Sequence, residues 1–241
     1  MSPFVDAARA EELKDGLEAV RARVEKACRD AGREPSDVTL IVVTKTHPAT
    51  DVAELCRLGV AEVGENRHPE AGDKHAELAE LVPEAMPRLH FVGGLQTNKA
   101  GAVARYADVV QSVDRAKLAR SLSRGAEAAG RSLDVMVQVD VNATDPGRSG
   151  AVPDDVPALV DLVAELPGLR PVGLMCVAPL GVAPRPVFDQ VRELSERIRR
   201  DHPGATAMSA GMSEDFAEAI EAGATHLRIG RAVLGERPAL R

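Results

Sequence analysis

Short apolar runs alternate with amphipathic stretches along almost the whole chain. Eight runs rich in Val, Ile and Leu are predicted to be strands: Thr39–Thr44, Val60–Val63, Leu89–Val92, Asp108–Val113, Leu133–Val141, Leu169–Cys176, Thr206–Ser209 and Thr225–Ile229. Between them, apolar spacing of three and four residues predicts helices: Asp51–Leu58, Pro69–Leu81, Asn98–Tyr106, Arg115–Ala129, Asp154–Leu166, Pro186–Arg200 and Ser213–Ala222. Such alternation indicates a parallel sheet, and eight units in 241 residues predict an α/β fold, a single (β/α)8 TIM-type barrel over 1–241.

A further helix is predicted before the first strand. Leu13, Leu17, Val20, Val24 and Cys28 recur at three- and four-residue steps and form one apolar stripe. An open doubly wound sheet is the alternative architecture. However, no GxGxxG follows the first strand and no GxxxxGK[ST] occurs, so the usual dinucleotide and nucleotide signals are missing.

Composition and charge narrow the function classes. Aromatic residues make up 2% of the chain and Trp is absent, which argues against modules that stack nucleic-acid bases. The net charge of −7 argues against phosphate-backbone binding. No apolar run approaches the roughly 20 residues of a membrane span, the charged N-terminus does not resemble a secretory signal, and the three cysteines lack zinc spacing. We therefore expect a cytoplasmic protein with no metal site.

Lys45 is the first candidate for chemistry. It ends the predicted first strand, and barrel active sites lie at the C-terminal ends of strands. Lysine forms Schiff bases with aldehydes, and burial can lower its pKa enough to make it a nucleophile. A strand-end lysine can also simply pack its stem and extend its amine into water. For Lys45 considered alone, this second explanation is the more common one.

The segment after the seventh strand is a candidate phosphate site. Ser209 and Gly211 precede a helix predicted to start at Ser213, and Gly230 follows the eighth strand. Glycine lets the backbone approach an anion, and a helix N-terminus offers unpaired N–H groups. Barrels often bind phosphate after strands seven and eight. An ordinary helix cap made by Ser213 explains the same residues without a ligand.

A lysine opposite a phosphate loop suggests pyridoxal phosphate, which carries one aldehyde and one phosphate. Arg228, near the end of the last strand, could then face the pyridine nitrogen. Arginine only donates hydrogen bonds, so that nitrogen would stay unprotonated and be a poor electron sink. A strand-end ion pair with a carboxylate is the alternative explanation for Arg228.

Several motifs occur in order from Lys45 to the C-terminus: Val43-Thr44-Lys45-Thr46, Gly64-Glu65-Asn66, His90-Phe91-Val92-Gly93, Leu95-Gln96-Thr97-Asn98-Lys99, Gly173-Leu174-Met175, Ser209-Ala210-Gly211-Met212-Ser213 with Asp215, and Arg228-Ile229-Gly230. In these the chain resembles the pyridoxal phosphate homeostasis protein family, whose barrel is similar to the N-terminal domain of alanine racemase. The resemblance implies an internal aldimine on Lys45, a pocket lined by Asn66, and Arg228 toward the ring nitrogen. The candidate cofactor-binding residues are Lys45, Asn66, Ser209, Gly211, Met212, Ser213, Arg228 and Gly230.

The chain also departs from the family pattern. Arg67-His68-Pro69-Glu70 stands where an aromatic residue and a Gln-Glu pair are usual, and Arg148 stands where a lysine is expected. Ala210 replaces a bulkier Met. These departures concern the rim of the pocket rather than the lysine.

Three functions fit a lysine on this barrel. A carrier would store, buffer or deliver pyridoxal phosphate, with PLP-dependent apo-enzymes as transient recipients and a monomer as the expected state. A racemase needs a base on each face of its substrate, and in alanine racemases the second base is a tyrosine from another domain. This chain has only Tyr106, predicted at the opposite end of the barrel, and lacks the length for that domain. An aldolase would need a proton relay beside Lys45. We therefore expect a non-catalytic carrier.

The histidines are weaker candidates. His90 is equally consistent with a buried core histidine and with a ligand of the cofactor pocket. His47 precedes Pro48 in a turn and is expected to be exposed to solvent. His68 and His75 are also expected to be exposed to solvent, because no third metal ligand accompanies them.

Overall fold

The computed structural model describes residues 2–141, 149–179 and 181–235, and within them eight parallel strands close into a barrel in sequence order. The strands are β1 Thr39–Val43, β2 Glu62–Glu65, β3 Arg88–Phe91, β4 Val109–Val113, β5 Leu133–Val139, β6 Leu169–Cys176, β7 Ala207–Ser209 and β8 His226–Ile229. The helices are α1 Ala7–Asp30, α2 Ala49–Arg57, α3 Glu70–Leu81, α4 Ala100–Val103, α5 Ala116–Ala129, α6 Val156–Glu165, α7 Pro184–Asp201, α8 Phe216–Glu221 and α9 Arg231–Leu234. The predicted (β/α)8 barrel with an extra N-terminal helix is confirmed.

The pairing of β1 with β8 closes the barrel. Its register runs from Thr39 opposite His226 to Val42 opposite Ile229. Because successive side chains of a strand point to opposite faces, Val42 packs outward against the helices while Ile41 points into the barrel. The larger apolar core lies between the strands and the surrounding helices. The closure therefore fixes which side chains of β1 and β8 share the barrel interior.

Helix α1 packs on the outside of the barrel against α8 and α9. The apolar stripe predicted from the sequence is buried in full along this helix. Gly16 permits the close approach to α9, since a Cβ atom there would lie 2.4 Å from the Val233 carbonyl oxygen. The helix begins after Asp6, whose carboxylate accepts a hydrogen bond from the Arg9 N–H at 2.8 Å.

Several element boundaries differ from the prediction, and two of them concern segments at the rim. Strand β2, expected at Val60–Val63, lies at Glu62–Glu65 instead. The sequence pattern fails there because β2 carries glutamates that have partners inside the protein, so polar residues stand at strand positions. The helix predicted at Ser213–Ala222 is shorter, since α8 begins only at Phe216.

The barrel interior is unusually polar. A small apolar cluster occupies part of it, formed by Val109, Met136, Met175 and Ala207. Side chains with hydrogen-bonding groups fill the space beside it, among them His90, Gln111, Ser209 and Arg228, all at most 6% exposed. Buried polar groups are costly unless hydrogen-bonded. The interior must therefore be held together by specific hydrogen bonds as well as by packing.

His226 makes the stability of this interior depend on pH. Burial, together with nearby His90, lowers the pKa of His226 to about 4, whereas in the unfolded chain it is about 6.5. Between these values only the unfolded chain binds the proton, so stability falls as the pH falls. We predict that His226→Asn, compared with the wild type by urea unfolding, gains about 2 kcal/mol in relative stability between pH 7 and about pH 4.5. Parallel pH profiles of the two proteins would contradict this assignment.

Candidate functional site

The structure brings the sequence-predicted residues to one end of the barrel. Lys45 follows β1, Asn66 follows β2, Gly211 follows β7 and Gly230 follows β8. In a parallel barrel the C-terminal ends of all strands meet at one rim. Arg228 lies within β8, below that rim and inside the barrel.

Lys45 lies in a tight turn that two peptide hydrogen bonds define. Its side chain is half-buried, and the next residue, Thr46, has a φ of +68°. A β-branched residue rarely adopts this left-handed conformation, so surrounding contacts must impose it. The Thr46 N–H donates to Glu70 Oε1 at 2.5 Å, and the His47 N–H donates to the Thr44 carbonyl at 3.1 Å.

A buried ion pair supports this turn from the helix side. Lys74 Nζ of α3 donates to Glu65 Oε1 at 2.6 Å and to the Thr44 carbonyl oxygen at 2.8 Å. The Thr44 hydroxyl donates to the same glutamate oxygen at 2.6 Å. Burial raises the pKa of Glu65, and the Lys74 ammonium acts in the opposite direction.

Lys74 and Glu70 thus hold the two peptide groups that flank Lys45. Lys74 binds the carbonyl of the preceding peptide, and Glu70 binds the N–H of the following one. Sequence reasoning missed Lys74, and it identified Glu70 only as part of the altered rim segment. The one signal that could have found them is their spacing, because a Glu and a Lys four residues apart at the start of α3 share a helix face.

Asn66 presents an unsatisfied acceptor at the rim. Its side-chain Oδ1 atom is buried and has no hydrogen-bond partner among the residues that the structure describes. Its backbone is packed against Gly93, where a Cβ atom would lie 2.2 Å from the Asn66 carbonyl oxygen. An unpaired buried amide oxygen is costly, so this position favours a ligand that donates a hydrogen bond.

The loop after β7 differs from the predicted phosphate site at two residues. No helix starts at Ser213, which lies in a turn before α8. The Met212 N–H donates to Asp215 Oδ1 at 2.6 Å and is therefore taken by a carboxylate. Gly211 has a φ of +90°, and a Cβ atom there would lie 2.7 Å from Ala219 Cβ. Glycine is required at this position by the packing of α8 as well as by its backbone conformation.

Gly230 makes a close approach within the protein. A Cβ atom at this position would lie 2.9 Å from the Val43 carbonyl oxygen, so the glycine lets the chain after β8 pack against the end of β1. Gly230 also precedes the first residue of α9. Its predicted contact with phosphate stays a prediction.

Arg228 and Ser209 are partners of each other. Arg228 Nη1 donates to Ser209 Oγ at 2.6 Å, and Nη2 donates to the Cys176 carbonyl at 2.6 Å. The Ser209 hydroxyl donates in turn to Gln111 Oε1 at 2.7 Å. A hydroxyl has a single proton to donate, and that of Ser209 goes to Gln111. The predicted phosphate contact near Ser209 stays a prediction.

Among the described residues, Arg228 does not form the ion pair with a carboxylate that was considered for it. Its guanidinium donates to the Ser209 hydroxyl and to the backbone carbonyl of Cys176. Burial lowers the pKa of Arg228. Since arginine remains charged in proteins, a buried cation held by neutral groups lies below the rim.

Four further side chains differ from expectation. His47 is buried rather than exposed, 3.5 Å from Asp51. Tyr106 is not at the far end of the barrel, because its hydroxyl lies 3.3 Å from Nδ1 of His68 in the segment that follows β2. Its ring lies between His68 and His75, which are partly buried. Burial raises the pKa of Tyr106, which disfavours its ionisation.

The departures from the family pattern have different outcomes. Arg67 is exposed, whereas Glu70 of the same segment binds the Lys45 turn. Ala210 is fully buried. Arg148 lies outside the described residues, as does the rest of 142–148.

Comparison with known proteins places the chain in a family. The family profile "Alanine racemase, N-terminal domain" matches residues 16–238. A pyridoxal phosphate homeostasis protein of Mycobacterium bovis is 40% identical over 245 residues, which cover 95% of this chain and 94% of that protein. The chain belongs to the pyridoxal phosphate homeostasis protein family.

Solved structures agree with this membership. PipY of Synechococcus elongatus, in a structure with PLP bound, aligns with a TM-score of 0.79 and 32% identity, over 92% of this chain and 100% of that one. An alanine racemase of Clostridium difficile aligns with a TM-score of 0.71 at 16% identity, over 95% of this chain and 58% of that one. The likeness to the racemase shows a shared fold.

The buried ion pair beneath Lys45 predicts a stability loss. In Lys74→Met, Glu65 would be a buried carboxylate without its cation, and breaking such a pair costs about 3 kcal/mol or more. We expect this loss in urea unfolding at about pH 8, and a smaller loss at about pH 5, where the carboxyl can take up a proton. Lys117→Met, at an exposed position of α5, is the matched control and should change stability by less than about 0.5 kcal/mol. A loss below about 1 kcal/mol in Lys74→Met at both pH values would contradict the assignment.

Proposed function

We propose that this chain binds pyridoxal phosphate through Lys45 and stores, buffers or delivers it, with little or no catalytic turnover. The observation that carries the proposal is the position of the turn that contains Lys45. Glu70 and Lys74 hold this turn at the rim of the barrel, above the buried Arg228. Ile41 is paired with Arg228, and Lys45 follows two residues after the end of β1 at Val43, on the rim side of that pair. The names of the homeostasis proteins and the PLP-bound PipY support the same ligand.

The residues at the rim fit this ligand chemically. Bound pyridoxal phosphate supplies an electrophilic aldehyde and a ring that can accept electrons. The ε-amine of Lys45 is the group that condenses with an aldehyde to give a Schiff base. The buried amide of Asn66 offers an unpaired acceptor to a hydroxyl or amine donor. The segments around Gly211, Ser213 and Gly230 are the proposed phosphate contacts.

Arg228 favours retention of the cofactor over chemistry on it. Its guanidinium donates hydrogen bonds and cannot be the source of a proton at neutral pH. Placed against the pyridine nitrogen, it would hold the ring while leaving that nitrogen unprotonated. A ring in this state withdraws electrons weakly, so proton abstraction from a bound amino acid is slow.

The tyrosine considered as a second base is engaged with another partner. Tyr106 is the only tyrosine of the chain, and its hydroxyl is engaged with His68 on the helix side of the sheet. The raised pKa of Tyr106 disfavours the tyrosinate form that a base requires. Racemisation requires bases on both faces of the substrate carbon, so this arrangement favours a carrier.

The proposed function also implies a cellular location, an oligomeric state and partners. Among the described residues, no helix has both the length and the apolar content required to cross a bilayer. We propose a monomeric, single-domain barrel over 1–241 that acts in the cytoplasm. Its partners would be the cofactor itself and, transiently, apo-enzymes that require it.

Covalent trapping tests the lysine. Sodium borohydride added to the protein with pyridoxal phosphate should fix one pyridoxyl group per chain, and peptide mass spectrometry should locate it on Lys45. Lys45→Ala should lose this label, whereas Lys117→Ala, at an exposed position of α5, should keep it. A label on another lysine in the wild type, or no label, would refute the proposed attachment.

Amino-acid turnover tests the carrier function. The cofactor-loaded protein, incubated with L-alanine and then with other L-amino acids, should show racemisation far below about 1 per second, the lower end of ordinary enzyme rates. The engagement of Tyr106 with His68 and the donor-only Arg228 are the physical reasons. Chiral chromatography of the product measures the rate, and sustained turnover at or above that value would favour a racemase instead.

A further inference from the structure

A continuous chain of hydrogen bonds crosses the barrel interior below Arg228. Ser209 Oγ lies 2.6 Å from Arg228 Nη1, Gln111 Oε1 lies 2.7 Å from Ser209 Oγ, and His90 Nδ1 lies 2.8 Å from Gln111 Nε2. His90 Nε2 completes the chain by bonding Glu62 Oε2 at the start of β2. We call these five side chains the barrel relay. Each comes from a different strand, in the order β8, β7, β4, β3 and β2.

The relay is shielded from solvent over most of its length. Arg228 is 6% exposed, Ser209 and Gln111 are 0% exposed, and His90 is 1% exposed. Glu62 is the most accessible member, with 23% of its side chain exposed. In such an environment each unpaired donor or acceptor would be costly, so the bonds constrain one another.

The direction of every bond follows from the arginine. A guanidinium only donates, so Ser209 accepts from Arg228 and must donate its own proton to Gln111 Oε1. The amide of Gln111 then presents its N–H group to His90, whose Nδ1 must accept. The proton of a neutral His90 therefore lies on Nε2 and is donated to the Glu62 carboxylate. All donors point from the cation toward the anion.

The common direction of these hydrogen bonds helps to orient Arg228 below the rim. Hydrogen bonds to charged groups are stronger than neutral ones, and a buried chain of them is cooperative. Arg228 has its two terminal nitrogens fixed, one by Ser209 and one by the Cys176 carbonyl. The orientation of its guanidinium plane thus depends on Ser209 keeping an acceptor, and that acceptor is Gln111.

We propose that Gln111, His90 and Glu62 are positioning residues, which orient Arg228 toward the cofactor through a relay that fixes His90 as the Nε2–H tautomer. This inference rests on the proposed function for the ligand, but the tautomer of His90 does not. The three residues act without touching the ligand, and apolar periodicity carries no sign of their connection.

The tautomer is tested on the protein without cofactor. Long-range 1H–15N correlation spectra of 15N-histidine-labelled protein should show His90 protonated at Nε2 and unprotonated at Nδ1 at neutral pH. Gln111→Glu keeps the size of the side chain but offers His90 an acceptor, so Nδ1 should become protonated in that variant. A proton on Nδ1 in the wild type, or an unchanged His90 in Gln111→Glu, would overturn the relay.

The positioning role is tested by titration with pyridoxal phosphate. Gln111→Leu and His90→Leu should weaken binding about tenfold, an effect of the size of one net hydrogen bond, and should shift the absorption maximum of the bound cofactor. His90→Gln retains an acceptor and a donor and should stay within about threefold of the wild type. Met136→Leu, another interior substitution close to constant volume, is the control and should change neither quantity.

The outcomes separate the two proposals. If the wild type does not bind pyridoxal phosphate, the proposed function fails, the positioning role fails with it, and the NMR result still decides the tautomer. If the wild type binds but both leucine variants match it in affinity and absorption, the positioning role is overturned and the proposed function stands. Should a leucine variant not fold, Gln111→Met takes its place in the titration, because it also removes the acceptor of Ser209 and is expected to weaken binding.

Discussion

The pairing of β8 with β1 is the constraint on which the candidate site depends. This ladder closes the barrel, and its register sets Arg228 opposite Ile41. Because side chains alternate between the two faces of a strand, Ile41 and Val43 share the inward face, and Lys45 follows in the turn at the rim end of β1. A slip of one residue would turn Arg228 toward the helices and leave the interior without its cation. The relation between lysine and arginine is thus a consequence of barrel closure.

Two buried charged groups organise the surroundings of that pair. On the helix side, Lys74 neutralises Glu65 and binds the peptide before Lys45, so a structural ion pair also holds the lysine turn. Inside the barrel, Arg228 is bonded to neutral groups, and the carboxylate of its relay is Glu62, at the other end. A buried cation needs such compensation. The polar interior therefore compensates the buried cation below the candidate site.

The architecture was predictable from the sequence because apolar periodicity reports burial directly. The stripe of α1 and the strand around Ile41 follow this pattern, and the rim location of Lys45 follows from strand order. The pattern fails where polar side chains are buried with partners, as in β2, whose glutamates concealed its true bounds. The roles of Ser209 and Met212 could not be predicted either. The Ser209 hydroxyl donates to Gln111, which is distant in the sequence, and the Met212 N–H donates to Asp215, which no sequence pattern connects with it.

Lys45 and Arg228 are proposed to hold the two sides of one cofactor. The most direct test of this arrangement is a crystal structure of the protein grown with pyridoxal phosphate. We predict electron density continuous from Lys45 Nζ into the ligand, with the pyridine nitrogen about 3 Å from the Arg228 guanidinium. Ligand density separate from Lys45, or a pyridine nitrogen facing a carboxylate instead of Arg228, would contradict the proposal.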